Sequence, residues 1–384
     1  MEYRENKRTG DRISVLGMGS GGIAVNGLEK GVEVLQKAVG AGINYFDLAA
    51  AEGRAFEVFG EAMRGVREKV HYQIHFGADY DNGHREAAGN QPDSSLVTYS
   101  VGDYGKTVEL DRIKRSIDWQ LETLCTDYID YGFIHCVDEV SGWEENLANG
   151  IYDLILDYKR QGIVRHIGLS SHTPPVAQRV LDEADVDMLM FSINPAYDYH
   201  YGDKYGAGTT EERAALYRRC AEEGIGITVM KPYGAGLLLD ARKSFFGQAM
   251  TPVQCIQYEL DTPGVLTVLP GISSMEELAD LLHYLDASPE EKDYSFTREI
   301  TPEQAQGRCV YCNHCAPCPA GLNIGTINKY YDLALLRDEM AQTHYQGLAH
   351  HASECFGCLH CNKACPFGVA QCERMQEIAL YFGE

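Results

Sequence analysis

Residues 127–171 read DYIDYGFIHCVDEVSGWEENLANGIYDLILDYKRQGIVRHIGLSS, in which two short apolar runs, 129–135 and 164–169, flank a helix-like stretch at 145–162. Apolar strand, helical pattern, apolar strand is the signature of a parallel β-α-β unit whose strands are buried on both faces. Outward from this unit the alternation repeats. Strands are expected also at 13–18, 43–47, 71–76, 187–192, 226–230 and 265–269, with helices near 29–41, 55–65, 109–124, 174–183, 210–224, 250–260 and 275–284. Eight strands, each followed by a helix, in about 270 residues is the count for a closed (β/α)8 TIM barrel rather than an open doubly wound sheet. The fold class is therefore α/β, and chemistry is expected at the C-terminal ends of the strands.

A different text follows the barrel. Eight of the thirteen cysteines lie in two runs, Cys309, Cys312, Cys315 and Cys318 before Pro319, then Cys355, Cys358, Cys361 and Cys365 before Pro366. The second run has the C-x2-C-x2-C-x3-C-P spacing of bacterial ferredoxins, and the first is one residue shorter before its last cysteine. By analogy Cys309, Cys312 and Cys315 pair with Cys365, and Cys355, Cys358 and Cys361 with Cys318, to hold two [4Fe-4S] clusters. Structural zinc uses paired cysteines and fits this repeated spacing poorly. Disulfides are disfavoured because the N-terminus, MEYRENKRTG, has no signal-peptide character and a cytoplasmic location is expected. Cys125, Cys136, Cys220, Cys255 and Cys372 have no ligand spacing and read as buried small hydrophobes.

These boundaries give a barrel over 1–284, a linker over 285–308, and a small α-helical ferredoxin-like domain over 309–384 with a helix-like insert at 326–350. No run approaches the roughly 20 apolar residues of a membrane span. A formal net charge of -23 argues against a nucleic-acid or anionic-membrane partner, since both demand clustered Lys and Arg. Two long insertions follow expected strands: 77–108, which is expected to cap the site, and the tyrosine-dense 193–209.

GMGSGG early in the chain, NYFDLA at 44–49, FIHCVDE at 133–139, RHIGLSSHTP at 165–174, VMKPYGAGLL at 229–238 and VLPGISSMEEL at 268–278 stand in order along the barrel. Over about residues 10–284 the chain resembles the aldo-keto reductase superfamily, and its tail is similar to the branch carrying a C-terminal ferredoxin-like two-cluster module. The resemblance implies a catalytic tetrad of aspartate, tyrosine, lysine and histidine. Asp47 and His135 occupy the aspartate and histidine slots, whereas Glu52 stands in the tyrosine slot and His75 in the lysine slot. The phenol that would protonate a carbonyl is thus missing, but a carboxylate beside imidazoles can still move protons near neutral pH. Catalytic roles are expected for Glu52, His75 and His135, with Asp47 orienting them; loop bonding and core packing are the structural alternatives.

The nicotinamide site implied by the resemblance is eroded as well. Ser170 is followed by Ser171, Met190 stands at the glutamine position, and Met230 replaces the stacking aromatic. Gly271 and Ser273 could cradle a phosphate at a helix N-terminus, and Lys231 could meet a phosphate or carboxylate. No Lys or Arg near Ser273 is placed to read a 2'-phosphate, which favours NADH over NADPH; a flavin is left open. His172, Asn194 and Tyr197 are the expected substrate contacts.

Three readings follow. The leading one is an iron-sulfur oxidoreductase that reduces a small organic substrate, carbonyl or aromatic, with electrons relayed through the clusters from a ferredoxin or other donor. The second is an NAD(P)H-dependent carbonyl reductase with accessory clusters. The third is a non-redox lyase or isomerase using Glu52 and His135.

Overall fold

The computed structural model of the chain describes residues 1–49, 53–80, 105–199, 206–298, 307, 309, 311, 314–335, 338, 340–365 and 367–384. The chain forms two compact units, one of residues 1–191, 214–230 and 259–287 and one of 192–213, 231–258 and 288–384.

The first unit is built on parallel strands. A hairpin of β1 (Tyr3–Glu5) and β2 (Arg12–Ser14) precedes β3 (Met18–Gly19), β4 (Tyr45–Asp47) and β5 (His71–Phe76). A short antiparallel pair, β6 (Ala78–Asp79) and β7 (Gly105–Lys106), opens and closes the first insertion, most of which lies outside the described residues. Then come β8 (Ile129–Ile134), β9 (Val164–Ser171), β10 (Met188–Ser192), β11 (Gly226–Met230) and β12 (Val265–Val268). The eight-stranded sheet runs β12-β11-β10-β9-β8-β5-β4-β3, and parallel bridges Leu16 to Val268 and Gly19 to Gly271 bring its two edges together. Seven of the eight expected strands fall within two residues of their observed bounds. The expected strand at 13–18 is corrected: its start pairs backward in the hairpin, and it joins the barrel sheet through the Leu16 bridge to Val268 and the short strand Met18–Gly19.

The hairpin was not foreseen, because its strands are too short to show alternation. It is fixed by polar contacts at the N-terminal ends of the barrel strands. Arg4 donates to the carbonyls of Leu260 and Val265 at 2.8 and 2.7 Å, and buried Asn6 donates to the Asp187 carbonyl at 3.1 Å. The expected helix at 145–162 is likewise corrected to two, Val140–Ala148 and Ile151–Gln161, separated where Gly150 takes a left-handed φ of 73°. That conformation costs a glycine little and interrupts the hydrogen-bond ladder.

Strands β5 and β8 are buried almost throughout, as parallel strands covered on both faces must be. Inside the barrel Tyr45, Tyr131, Phe133, Met188, Met190, Leu266 and Leu269 pack together. Phe133 faces Gly168 across the β8–β9 register, and a Cβ at Gly168 would fall within its ring. Gly168→Ala must therefore push a fully buried aromatic toward His75, whose ring centroid is 5.4 Å away. We expect it to destabilise the chain by about 1–3 kcal/mol, read by scanning calorimetry as a Tm lowered by roughly 2–10 °C.

The second unit contains helices Pro195–Tyr199, Pro252–Leu260 (to Tyr258), Ile324–Leu335, Ala341–Gln346, His360–Ala364 and Gln371–Phe382. The insert expected at 326–350 is thus two helices. Leu322, Ile324, Ile327, Tyr330, Leu333, Tyr345, Met375 and Ile378 make its core, and Cys315, Cys361 and Cys372 pack into the same cluster. No helix among the described residues is long and apolar enough to cross a membrane.

Candidate functional site

At the C-terminal ends of β4, β5 and β8 a chain of polar groups crosses the barrel interior. Asp47 closes β4, and its Oδ1 accepts from Gln73 Nε2 at 3.0 Å and pairs with His75 Nε2 at 2.8 Å. His75 Nδ1 in turn lies 3.1 Å from His135 Nδ1, the two rings meeting nearly edge to face. All four side chains are buried. Of two imidazole nitrogens 3.1 Å apart, one must donate and the other accept, so a single proton moved between them reverses both roles. Asp47, His75 and His135 can thereby carry a proton from the carboxylate to the far nitrogen of His135. Burial first, then the neighbouring His75 and Lys106, holds the His135 imidazole well below its usual value, which favours the neutral ring.

The expected triplet of Asp47, His75 and His135 is brought together; Glu52 lies outside the described residues. Gln73 was missed. It stands two residues before His75 on β5, hence on the same inward face, and that period of two was the available signal. Its Oε1 accepts from Tyr45 Oη at 2.9 Å and Thr228 Oγ1 at 3.2 Å, which fixes the amide so that Nε2 faces Asp47. Burial and then the nearby Tyr131 and Asp47 raise the Tyr45 phenol far above its ordinary value, so it keeps the proton that it donates to Gln73.

The residues expected to hold a dinucleotide have other partners. Ser171 Oγ donates to the Val137 carbonyl at 2.6 Å, and the Ser170 carbonyl accepts from Val137 N at 2.9 Å, so both pin the loop after β8. Ser273 offers its N–H and Oγ to Glu277 Oε2 at 2.7 and 2.8 Å. A carboxylate thus sits on the donors that a phosphate would require. Gly271 bridges Gly19, and Met190 Sδ lies 2.9 Å from Gln73 Nε2. His172 is buried with Nδ1 3.0 Å from Asp138 Oδ2. In the second unit, Asn194 Oδ1 accepts from Tyr197 N at 3.0 Å while its Nδ2 donates to the Lys231 carbonyl at 3.1 Å. Tyr197 is buried with Lys329 Nζ 4.5 Å above its ring, and Lys231 adopts a left-handed φ of 57°.

Also in the second unit, a shallow pocket is lined by Cys318, Cys355, Cys358, Cys361 and Cys372 with Pro319, Leu322, Ile324 and Phe356. Burial pushes the Cys361 thiol up to about 12, helped by Cys372, whose Sγ is 3.7 Å from its own. Burial likewise pushes Cys309 up to about 12, against a hydrogen bond from Gln371 Nε2 at 3.5 Å. Such sulfurs keep their protons unless a metal ion displaces them. Cys315 is buried and Cys365 half-buried, while Cys312 lies outside the described residues. Two of the cysteines read as buried hydrophobes are corrected: Cys125 is exposed and Cys136 half-buried, both at positive φ outside helix and strand. Cys372 is buried as expected, yet its sulfur reaches the pocket because the last helix, Gln371–Phe382, starts there.

Comparison with known proteins agrees with this barrel. A model of the Aldo/keto reductase family matches residues 15–248. An uncharacterized oxidoreductase of Bacillus subtilis, YqkF, is 24% identical over 293 residues, covering 72% of this chain and 88% of that protein. The holo form of aldo-keto reductase AKR11C1 from Bacillus halodurans superimposes with a TM-score of 0.58 at 20% identity, covering 78% of this chain and 96% of the other. An aldo/keto reductase from Klebsiella pneumoniae, in complex with NADP and acetate, gives 0.53 at 18% identity, over 78% of this chain and 95% of its own. Eight strands closed into a barrel, the ordered landmarks along them, and a family match over most of that barrel make this chain an oxidoreductase-type member of the aldo/keto reductase family.

Proposed function

We propose that this protein is an iron-sulfur oxidoreductase on the aldo-keto reductase barrel, reducing a small carbonyl or aromatic substrate, with the residues from 309 onward as the domain that holds two [4Fe-4S] clusters. The observation that carries this reading is the pocket in which Cys355, Cys358 and Cys361 share a wall with Cys318, the fourth sulfur expected from the ferredoxin-like spacing. When bound, such clusters would supply electrons singly from a ferredoxin or other reduced donor. Pro319, Leu322 and Ile324 line the same pocket and would place apolar surface beside the sulfurs. On the barrel, Asp47 orients His75, and His75 exchanges a proton with His135, so the protons consumed in a reduction can be drawn through this chain.

The experiment is anaerobic reconstitution of the full chain with iron and sulfide. About eight irons per chain are expected, together with oxidation of the dithionite-reduced, desalted protein by 1,4-naphthoquinone in the absence of any nicotinamide. A chain that takes up no iron ends this reading.

A second reading, an NAD(P)H-dependent carbonyl reductase, is favoured by the family itself. The residues present do not fit a dinucleotide well, since Glu277 holds the Ser273 donors and methionines replace the ring-gripping side chains. If Glu277 is the obstacle, Glu277→Ala should raise NADH affinity about tenfold, the worth of one hydrogen bond to a charged group. Calorimetric titration of both chains checks it, and equal affinities would place the obstacle elsewhere.

A further inference from the structure

Cys136, Asp138 and His172 form a second cluster at the ends of β8 and β9 that the proton chain does not use. Cys136 Sγ lies 3.4 Å from Asp138 Oδ2 and 4.0 Å from His172 Nδ1, and that nitrogen lies 3.0 Å from the same Oδ2. Cysteine, histidine and aspartate together suggest an activated nucleophile, but such a device needs thiol and carboxylate on opposite ring nitrogens. Here both face Nδ1. An imidazole approached twice at one nitrogen cannot relay a proton between its neighbours. Three donor atoms that converge on a point can, however, hold a cation.

We propose that Cys136, Asp138 and His172 form a mononuclear site for a divalent transition metal of the zinc type. Bonds of about 2.0–2.3 Å at a tetrahedral centre set the ligand atoms roughly 3.3–3.6 Å apart. The observed separations of 3.0, 3.4 and 4.0 Å bracket that span, so shifts of a few tenths of an ångström complete it. Thiolate, imidazole and carboxylate suit zinc better than magnesium or calcium, which prefer oxygen alone.

The surroundings fix the donors as outer-shell partners of a metal commonly do. The His172 backbone N–H donates to Asp138 Oδ1 at 2.7 Å, which turns Oδ2 toward the sulfur. Ser171 Oγ holds the Val137 carbonyl between the two other donors in sequence. Cys136 is held at a left-handed φ of 49°, a strained conformation for a residue with a Cβ. Lys106 Nζ donates to the Cys136 carbonyl at 2.7 Å, which holds the backbone of this residue in place. One thiolate and one carboxylate neutralise a dication, so the adjacent ammonium is not repelled and would favour an anionic or hydroxyl ligand in the remaining position. Three protein ligands with a fourth position open is the pattern of a catalytic rather than a structural zinc centre.

The test must separate this site from the C-terminal cysteines, whose thiols would take up added zinc as well. Full-length parent, Cys136→Ser, His172→Gln and Cys125→Ala chains are equilibrated with zinc at micromolar free concentration and their metal is counted. The parent and Cys125→Ala are expected to hold one equivalent more than Cys136→Ser and His172→Gln, whatever the tail retains, because the tail is the same in all. With cobalt in place of zinc, the thiolate-to-cobalt absorption assigned to one sulfur should vanish in Cys136→Ser and persist in Cys125→Ala. If His172→Gln does not fold, Cys136→Ser, close to isosteric at a half-buried position, carries the comparison. Equal metal counts in folded parent and Cys136→Ser, or an unchanged cobalt spectrum, overturn the proposal.

Discussion

Replacement of Cys358 by alanine is expected to lower the iron of the reconstituted chain from about eight to about four atoms and to abolish nicotinamide-independent electron transfer to 1,4-naphthoquinone. The choice of cysteine matters. Cys358 lines the sulfur pocket yet is exposed, whereas Cys361 is buried in the core formed by the helices at 324–335 and 371–382. Removing Cys361 would combine loss of a ligand with loss of packing worth about 1 kcal/mol or more. Removing Cys358 deletes a sulfur and little else. Iron and acid-labile sulfide assays, with circular dichroism to show that the helices remain, check the result. A Cys358→Ala chain with full iron content would mean that Cys372, whose sulfur already lies in the pocket, takes its place, and the Cys358→Ala/Cys372→Ala double variant then decides between substitution and absence of the cluster.

Asp47→Asn is expected to slow substrate reduction by about 10²–10⁴-fold while leaving bound iron unchanged. The asparagine can keep its Oδ1 toward Gln73 Nε2 and His75 Nε2, so the geometry survives. What is lost is the carboxylate that can take up a proton from His75 and return it toward His135. Buried polar networks amplify such changes because the surrounding dielectric is low. Stopped-flow oxidation of the reduced protein reads the rate, and iron analysis reads the tail independently. A rate within threefold of the parent would reduce the Asp47, His75 and His135 chain to a structural role.

Much of the fold was legible because burial leaves a periodic trace. The runs HYQIHF and IDYGFI alternate or cluster apolar residues (Tyr72, Ile74 and Phe76; Ile129, Tyr131, Phe133 and Ile134) with the few polar ones, and they form β5 and β8 where they were expected. The N-terminal hairpin left no such trace, since its three-residue strands are held by Arg4 and Asn6 reaching carbonyls more than 180 positions away. The break at Gly150 is signalled by the Asn149-Gly150 pair, but the apolar spacing of Leu147, Ile151 and Leu154 continues through it and reads as one helix.

The candidate site divides in the same way. By itself the sequence determined the eight-strand barrel, the strand ends that bear Asp47, His75 and His135, and the spacing of the tail cysteines, all of which depend on local periodicity and short intervals along the chain. Tertiary structure alone decided that Gln73 meets Asp47, that Glu277 sits on Ser273, that Cys372 joins the sulfur pocket, and that Cys136, Asp138 and His172 converge. Those encounters depend on the register between neighbouring strands, on helix starts and on turns at positive φ. Each of these is fixed by the packing of the whole barrel or helix cluster, not by the residues beside it in the chain.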